Sequence, residues 1–348
     1  MNRPSSVRPS WRRLLAFSLL FLALSAGVPY GILHELGGQW PSLDGRLLQP
    51  GFLLACASLL AVYFGADGLR LWFLTRALGY RVDPRQMAPL VFLNILVSNL
   101  TPMATGGGFA QIWYLRRLGM PVGAATAAAT LRTLLASVGI FVPSLLMLWW
   151  WPALAGRVLT PGWAYVLGGL AALYLASFAL VFWRLRWVLG ALRHALQALE
   201  RWRWISPVRQ RRWYFALRRE TVRFAVAMRL LANRRGPNFW WAIVATLVFL
   251  LALFSVPALL LWGLGYAVPL FQTLGLSTLI TFVMYFAPTP GGAGIAEGLF
   301  SLLFAGYVSR ADLFVLVLGW RFLTIHLAML VGAPILWLSL WRGHDRDT

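Results

Sequence analysis

The chain has 348 residues, of which 60% are hydrophobic and only 12% are charged, whereas soluble domains are roughly half apolar and a quarter charged. With a mean hydropathy of +0.71, this composition argues against a soluble enzyme and against a disordered chain. It predicts an integral membrane protein. The net charge is +21, and every basic residue is an arginine. The single cysteine, Cys56, excludes an internal disulfide framework and a multi-cysteine metal site, and no cofactor is expected.

Apolar runs long enough to cross a bilayer recur along the chain, since about 20 residues span a core ~30 Å thick. In chain order they cover residues 14–33, 52–74, 121–150, 162–183, 239–264 and 313–341. The first run follows four arginines, so a cleaved signal peptide is an alternative for it. We interpret it as an uncleaved helix because its apolar length exceeds that of a signal peptide.

Two further apolar stretches are interrupted by Pro and Gly clusters. Residues 87–115 are broken at 101–108, and residues 268–307 are broken at 287–294. Short cytoplasmic loops carry the excess of basic residues, and the arginine-rich loops, including Arg116 and Arg117, place both ends of 87–115 in the cytoplasm. This stretch is therefore predicted to be a re-entrant hairpin, with both chain termini on the cytoplasmic side of the cell membrane. For the second stretch, an ordinary loop beside a full span remains an alternative.

Residues 184–235 are too polar to span a membrane, because they contain fourteen arginines against two glutamates. Leucines recur at helical spacing before Pro207, which is expected to break the helix, and a second amphipathic stretch covers about residues 213–231. Basic amphipathic helices with Trp at their edges lie on anionic leaflets. Nucleic-acid binding is the weaker alternative and is not expected, since the segment is flanked by spans.

The chain repeats itself at an offset of 186 residues. Pro102-x-x-x-Gly106-Gly107-Gly108-Phe109-Ala110-Gln111 matches Pro288-x-x-x-Gly292-Ala293-Gly294-Ile295-Ala296-Glu297. We therefore expect one membrane domain over residues 1–348, with a first repeat at about 52–150, a basic cytoplasmic segment at 184–237 and a second repeat at about 238–336. The predicted fold is an all-α polytopic membrane protein with about six to eight spanning helices and broken helices in two inverted repeats, as in many transporters.

The breaks suggest a binding site near the middle of the membrane. Glycine permits sharp turns and close approach of the backbone to a ligand, and a helix that starts after a break offers free N–H groups that suit a phosphate. Close helix packing is the alternative explanation for the glycines.

Arg132 and Arg321 lie deep inside their runs, where an arginine costs ~2.5–3.5 kcal/mol on insertion scales and normally faces a cavity or a partner. Anion binding by both is the favoured interpretation, and structural salt bridges are the alternative. Asp67 has Arg70 one helical turn away, which leaves Glu297 alone for the two buried arginines.

Three polar residues complete the predicted substrate site. Gln111 and Glu297 occupy matching positions in the two repeats, and Asn99 lies beside the first break. Gln111 is expected to bind a lipid head group, whereas Glu297 would bind substrate, neutralise Arg321 or carry a proton. The alternative for Asn99 is that it is a buried amide with no role in binding, which simply needs a hydrogen-bond partner.

The stretches Ser98–Gly119 and Pro288–Gly298 resemble the two motifs of the lysylphosphatidylglycerol synthase transmembrane (flippase-like) family. The resemblance covers nearly the whole chain and implies lipid translocation. It does not imply aminoacyl transfer, because only seven residues follow Trp341 and the synthase domain of bifunctional members is not expected. Family members commonly carry Gly-Gly-Glu near the first break, whereas here Phe109 follows the glycines and Gln111 stands nearby.

These observations favour a lipid flippase, whose partners are membrane lipids. A membrane-embedded transferase is the first alternative, and it would need Glu297 and His326 as an acid–base pair. A scaffold for a separate soluble enzyme, docked through residues 184–235, is the second.

Overall fold

The computed structural model describes residues 44–101, 104–150, 161–183, 207–233 and 236–344, together with a few isolated positions elsewhere. The predicted first span at 14–33, Pro102 and the amphipathic stretch before Pro207 lie outside the described ranges.

The described chain is built of α-helices. In order they are α1 Pro50–Ala77, α2 Met87–Asn99, α3 Thr105–Arg117, α4 Val122–Trp150, α5 Pro161–Trp183, α6 Pro207–Asn233, α7 Pro237–Gly263, α8 Leu270–Met284, α9 Ile295–Phe304, α10 Arg310–Arg321 and α11 Leu327–His344. Four continuous helical stretches are long and apolar enough to cross a membrane: α1, α4, α7 and the stretch Arg310–Ser339. The prediction of an all-α, multi-pass membrane protein is confirmed.

Both broken stretches form hairpins of helices too short to cross a bilayer. Helices α2 and α3 have 13 residues each, about 20 Å, and α8 and α9 have 15 and 10, against a core ~30 Å thick. The Tyr114 hydroxyl donates to Gln86 at 3.0 Å, which joins the end of α3 to the start of α2. The Gln272 amide donates to the Tyr307 hydroxyl at 2.5 Å and joins the two ends of the second hairpin. The two ends of each hairpin therefore lie next to each other.

The first break is shorter than the glycine cluster suggested. Helix α3 begins at Thr105, so Gly106, Gly107 and Gly108 form its first turn rather than the connecting loop. A Cβ atom at Gly107 would overlap the Ser98 hydroxyl. The glycine at this position therefore allows α3 to lie directly against α2.

The helices follow the 186-residue offset closely. Moved along by 186 residues, α1 would cover residues 236–263, and α7 is found at Pro237–Gly263. The same tripeptide, Leu-Gly-Tyr, follows both helices, and its glycines have φ angles of 85° at Gly79 and 84° at Gly265. In both cases the tyrosine N–H returns to a carbonyl inside the helix, from Tyr80 to Thr75 and from Tyr266 to Leu261. A glycine in the left-handed backbone conformation commonly ends a helix in this way.

The chain divides into two compact units, each of which draws on both halves of the sequence. The first comprises, among the described residues, 44–60, 92–107 and 254–344, and the second comprises 61–91 and 108–253. In the first, Phe300 stacks on Phe304 and on Trp320, with ring centroids 4.4 and 4.5 Å apart, so that α9 is held against α10. In the second, Phe141 on α4 meets Tyr174 on α5 at 5.4 Å.

The last apolar run contains a change of helix type. Helix α10 ends at Arg321, and residues Phe322–His326 form a π-helical turn before α11 begins. Such wide turns inside α-helices often occur at functional sites.

Helix α6 begins at Pro207, about six residues before the predicted start of the second amphipathic stretch, and it packs along α4. Proline suits the first turn of a helix because its missing N–H is not needed there. The Glu220 carboxylate accepts the N–H of Gly123 at 2.9 Å, in the first turn of α4. Burial raises the pKa of the Glu220 carboxyl, but the Gly123 N–H and the Arg223 guanidinium outweigh it, so the pKa lies below its usual value. Glu220 therefore remains charged near neutral pH and anchors α6 to α4.

The contact between α4 and α6 predicts a strong effect of Gly123→Ala. A Cβ atom there would overlap the backbone oxygen of Glu220 and lie 2.9 Å from the amide nitrogen of Phe224. Overpacking of this kind costs about 1–3 kcal/mol, so the unfolding temperature in detergent should fall. The matched control is Gly65→Ala in α1, where the new methyl group meets nothing within 4 Å. The control should be neutral or stabilising, and equal effects of the two changes would contradict the packing described.

Candidate functional site

The turn of the second hairpin depends on glycine. Gly291, Gly292 and Gly294 have φ angles of 57°, 66° and 83°, which only glycine adopts without strain. Gly294 directly precedes the first residue of α9. The turn therefore presents a compact backbone at the tip of the hairpin, and its carbonyl and N–H groups need partners.

Glu297 supplies one of these partners from the first turn of α9. Its Oε2 accepts the N–H of Gly294 at 2.7 Å, and its Oε1 accepts the Nε–H of Arg321 at 2.6 Å. The residue is fully buried. A carboxylate at the start of a helix also balances the positive end of the helix dipole. The protein's own anion thus occupies the place that an anionic ligand would need at this helix.

Arg321 connects the last helical stretch to the same turn. Besides the bond to Glu297, its Nη1 and Nη2 both lie 3.3 Å from the carbonyl oxygen of Gly291, and its side chain is only 2% exposed. The Glu297–Arg321 pair is neutral overall and holds the hairpin tip to α10. This geometry is the salt bridge that the sequence left open as an alternative to anion binding.

A second buried cluster joins α1 to α4. Asp67 Oδ1 lies 2.6 Å from Nε of Arg70, and Nη2 of Arg132 lies 2.6 and 2.7 Å from the two carboxylate oxygens of Asp67. The exposed fractions are 2% for Asp67, 4% for Arg70 and 6% for Arg132. The expectation that Arg70 alone would satisfy Asp67, leaving Glu297 as the one acid for both deep arginines, is wrong. Asp67 serves Arg132 as well.

The charges of this three-residue cluster do not cancel, because two guanidinium groups share one carboxylate. Arg70 also stacks on the ring of Phe249, with 3.8 Å between its guanidinium carbon and the ring centroid. The Nε of Arg132 is buried and has no acceptor among the residues that the structure describes. Arg132 therefore keeps a donor and a share of positive charge inside a spanning helix, whereas Arg321 is matched by its own carboxylate.

No carboxylate caps the helix that follows the first break. The Thr101 hydroxyl accepts the N–H of Gly106 at 2.9 Å, and the first turn of α3 contains no acidic residue. Gln111 is 1% exposed, and its Oε1 has no partner within the described ranges. The amide of Asn99 donates to the Ile95 carbonyl in its own helix at 2.8 Å, which satisfies its need for a partner. The glutamine thus takes the place of Glu297 without its helix-capping role.

The comparisons with known proteins agree with the helical pattern. Residues 14–332 match the model of one protein family, the transmembrane region of lysylphosphatidylglycerol synthases. The chain belongs to this family. It is also similar to a UPF0104 membrane protein of Archaeoglobus fulgidus, with 24% identity over 290 residues that cover 81% of this chain and 84% of that protein.

Within this family member, the predicted site residues fall into separate groups. Arg321 and Glu297 are bonded to each other, while Arg132 belongs to a cluster with Asp67. Arg116 and Arg117 are exposed at the end of α3, where Arg117 lies over the Trp113 ring at 4.3 Å. The sharing of Asp67 by Arg70 and Arg132 was not predicted from the sequence. The signal available for it was the presence of one carboxylate and two arginines within two apolar runs.

The Glu297–Arg321 pair predicts a non-additive response to mutation. Glu297→Gln or Arg321→Gln alone leaves one buried charge unpaired and should lower the free energy of unfolding by about 3–5 kcal/mol. The double change removes both charges and should cost much less. Unfolding of the four proteins in the same detergent measures the coupling, and simple additivity of the two single effects would argue against a functional ion pair.

Proposed function

We propose that this protein moves a phosphate-bearing lipid head group across the membrane, and that Arg132 binds the negative charge of that head group. The observation that carries the proposal is the sharing of Asp67 by Arg70 and Arg132, deep in two spanning helices. Membrane interiors rarely hold charged groups, and those present commonly mark a pathway for a charged substrate. The family, named after the transmembrane region of a lipid-modifying synthase, supports a lipid as the substrate.

The chemistry of Arg132 suits a phosphate. A guanidinium group donates in a planar fork that matches two oxygens of a phosphate or a carboxylate. The Nη2 of Arg132 is engaged with Asp67, while its Nε has no acceptor among the described residues. A phosphodiester would supply both the missing acceptor and one negative charge. We infer that Arg132 exchanges part of its contact with Asp67 for the head group as the lipid passes.

The buried Gln111, which belongs to the same compact unit as Arg132, is the second element of the proposed path. Gln111 would hydrogen-bond a polar group of the head group. In this proposal Glu297 and Arg321 hold the second hairpin, and Asn99 is satisfied within α2.

An in-membrane transferase receives less support. That function would need Glu297 to exchange protons with a substrate, but both of its carboxylate oxygens are engaged, one by Gly294 and one by Arg321. A substrate would therefore have to displace Gly294 or Arg321 before it could reach a carboxylate oxygen of Glu297.

The proposed setting is the plasma membrane, with both chain termini in the cytoplasm. This orientation rests on the distribution of arginine among the short loops. The first hairpin then opens towards the cytoplasm and the second towards the outside.

Replacing Arg132 should reduce the rate of transport more than it reduces the stability of the protein. Arg132→Gln leaves Asp67 paired with Arg70, so no carboxylate is orphaned and the protein should fold. Losing a charge-assisted hydrogen bond to phosphate, worth about 1.5–3 kcal/mol, should slow transport by about tenfold to a hundredfold. The measurement is the loss of fluorescence when dithionite reaches labelled phosphatidylglycerol in liposomes that contain the purified protein.

Two comparison variants sharpen this test. Arg132→Lys keeps the charge but loses the fork, so its rate should be intermediate. The double variant Glu297→Gln with Arg321→Gln should still transport lipid, because the proposal gives this pair a structural role. A folded Arg132→Gln protein with the wild-type rate would eliminate Arg132 as the head-group ligand.

The proposed orientation predicts that the two hairpin tips are reached by water from opposite sides. The Thr289 hydroxyl is buried without a protein partner in the described chain, which is where ordered water is commonly found. Single cysteines at Thr105 and Thr289, in a Cys56→Ala background, should react with membrane-impermeant maleimide. Right-side-out vesicles should label only position 289, and inverted vesicles only position 105. Labelling of both from one side would overturn the inverted arrangement.

A further inference from the structure

Helix α6 has one face committed to the protein. Phe224, Ala227 and Leu231 are buried on the side that packs along α4, and Glu220 on the same side binds Gly123. At 100° per residue these four positions fall within one narrow sector of the helix. The helix is therefore fixed in its rotation about its own axis, and this determines what its opposite face presents.

The opposite face is an apolar strip that no described part of the protein covers. Its members are spaced by seven or four residues and are between 46% and 71% exposed. They are Val208, Phe215, Val222 and Val226. In a helix that lay free in water, such a row would be an unfavourable surface. The row needs an apolar environment on the side away from α4.

Arginines flank this outer strip on both sides. On the helical projection, one edge carries three exposed arginines, Arg211, Arg218 and Arg229, and the other carries three more, Arg212, Arg219 and Arg223. Glu220 is the single acid of α6, and it faces α4. The outer half of α6 thus combines four apolar side chains with six arginines, of which Arg219 and Arg223 also form salt bridges with Glu220.

We propose that this outer half of α6 binds an anionic lipid leaflet, with the strip entering the head-group region and the arginines contacting lipid phosphates. Long arginine side chains reach outward from an apolar face towards charged head groups. A basic helix with this pattern lies in the plane of the interface, and its binding depends on anionic lipid. The apolar helices α5 and α7 precede and follow α6 in the chain, so α6 is held near a membrane surface.

The leaflet is favoured over a protein partner because of how charge and apolar groups are distributed. Arginines along both edges of a thin apolar strip, with one glutamate to offset them, match a uniform anionic surface, whereas protein interfaces are depleted of charge at their centre. This inference does not depend on lipid transport by the chain. It has a structural consequence, because Glu220 ties α6 to the first turn of α4, the helix that carries Arg132.

The proposal is tested with the full-length protein in nanodiscs. In a Cys56→Ala background, Val226→Cys carries an environment-sensitive fluorophore at the C-terminal end of the outer strip. Discs contain phosphatidylcholine alone or with phosphatidylglycerol, and aqueous iodide measures how exposed the label is. We expect the label to be protected in the anionic discs, with protection weakened in neutral discs and at high salt, which screens surface charge.

A matched pair of variants separates this surface from overall charge. Arg211→Gln with Arg218→Gln should lower the ratio of docked to undocked helix by about fivefold per arginine, since each contributes about 1 kcal/mol near an anionic leaflet. Arg81→Gln with Arg85→Gln removes the same charge from an exposed loop and should leave the protection unchanged.

Each remaining outcome would overturn the proposal. A label equally exposed in both kinds of disc excludes leaflet binding, and equal protection in both excludes a role for anionic lipid. Protection that persists in neutral detergent and rises with protein concentration would assign the strip to a second copy of the chain. Thermal unfolding of each variant in parallel ensures that a loss of protection is not a loss of fold.

Discussion

A buried charge inside an apolar helix is tolerated only when an opposite charge lies within reach, and this constraint organises the protein. Arg132 and Arg321 are the eleventh and twelfth residues of their helices, at depths where water cannot solvate them. Asp67 ties α1 to α4 in one unit, and Glu297 ties α9 to α10 in the other. Between apolar helices in lipid the hydrophobic effect provides little attraction, so these bonds select which helices pair.

The two halves of the chain pair their buried arginines with carboxylates from different helices, although the helices of both halves follow one pattern. In the second half the carboxylate comes from the hairpin, and it also caps α9. In the first half the hairpin carries Gln111 at the matching position, and the carboxylate comes from α1 instead. Leu253 stands in α7 at the position that corresponds to Asp67. The same order of helices therefore carries a neutral pair in one half and a cluster with excess positive charge in the other.

The bounds of most helices could be predicted from the sequence because a bilayer imposes a length and proline and glycine impose ends. The run at 121–150 differs from α4 by one residue. The Leu-Gly-Tyr repeat after α1 and α7 is a further sequence signal, since it marks the end of both helices. Helix α6 begins about six residues before the predicted start of the second amphipathic stretch, because Pro207 is suited to the first turn of a helix.

The partners of the buried arginines could not be predicted in the same way. Asp67 and Arg132 are 65 residues apart, and no local pattern reports which apolar helices will touch. Arg70 was correctly expected to bond Asp67 because it lies one turn away on the same helix. The π-helical turn after Arg321 contains no proline or glycine from which it could be predicted. It too therefore depends on tertiary packing.

The difference between the halves bears directly on how a charged lipid would be handled. A head group near Arg321 would have to displace Glu297 from both its guanidinium and its N–H bonds, which leaves a buried carboxylate without partners and costs several kcal/mol. A head group near Arg132 meets a carboxylate that keeps Arg70 when Arg132 turns away. The energetic penalty for admitting an anion is therefore smaller in the first half, where the protein has placed two arginines and one acid. A symmetric pair of neutral bridges would hold the fold equally well, but it would give a passing phosphate no charge to bind.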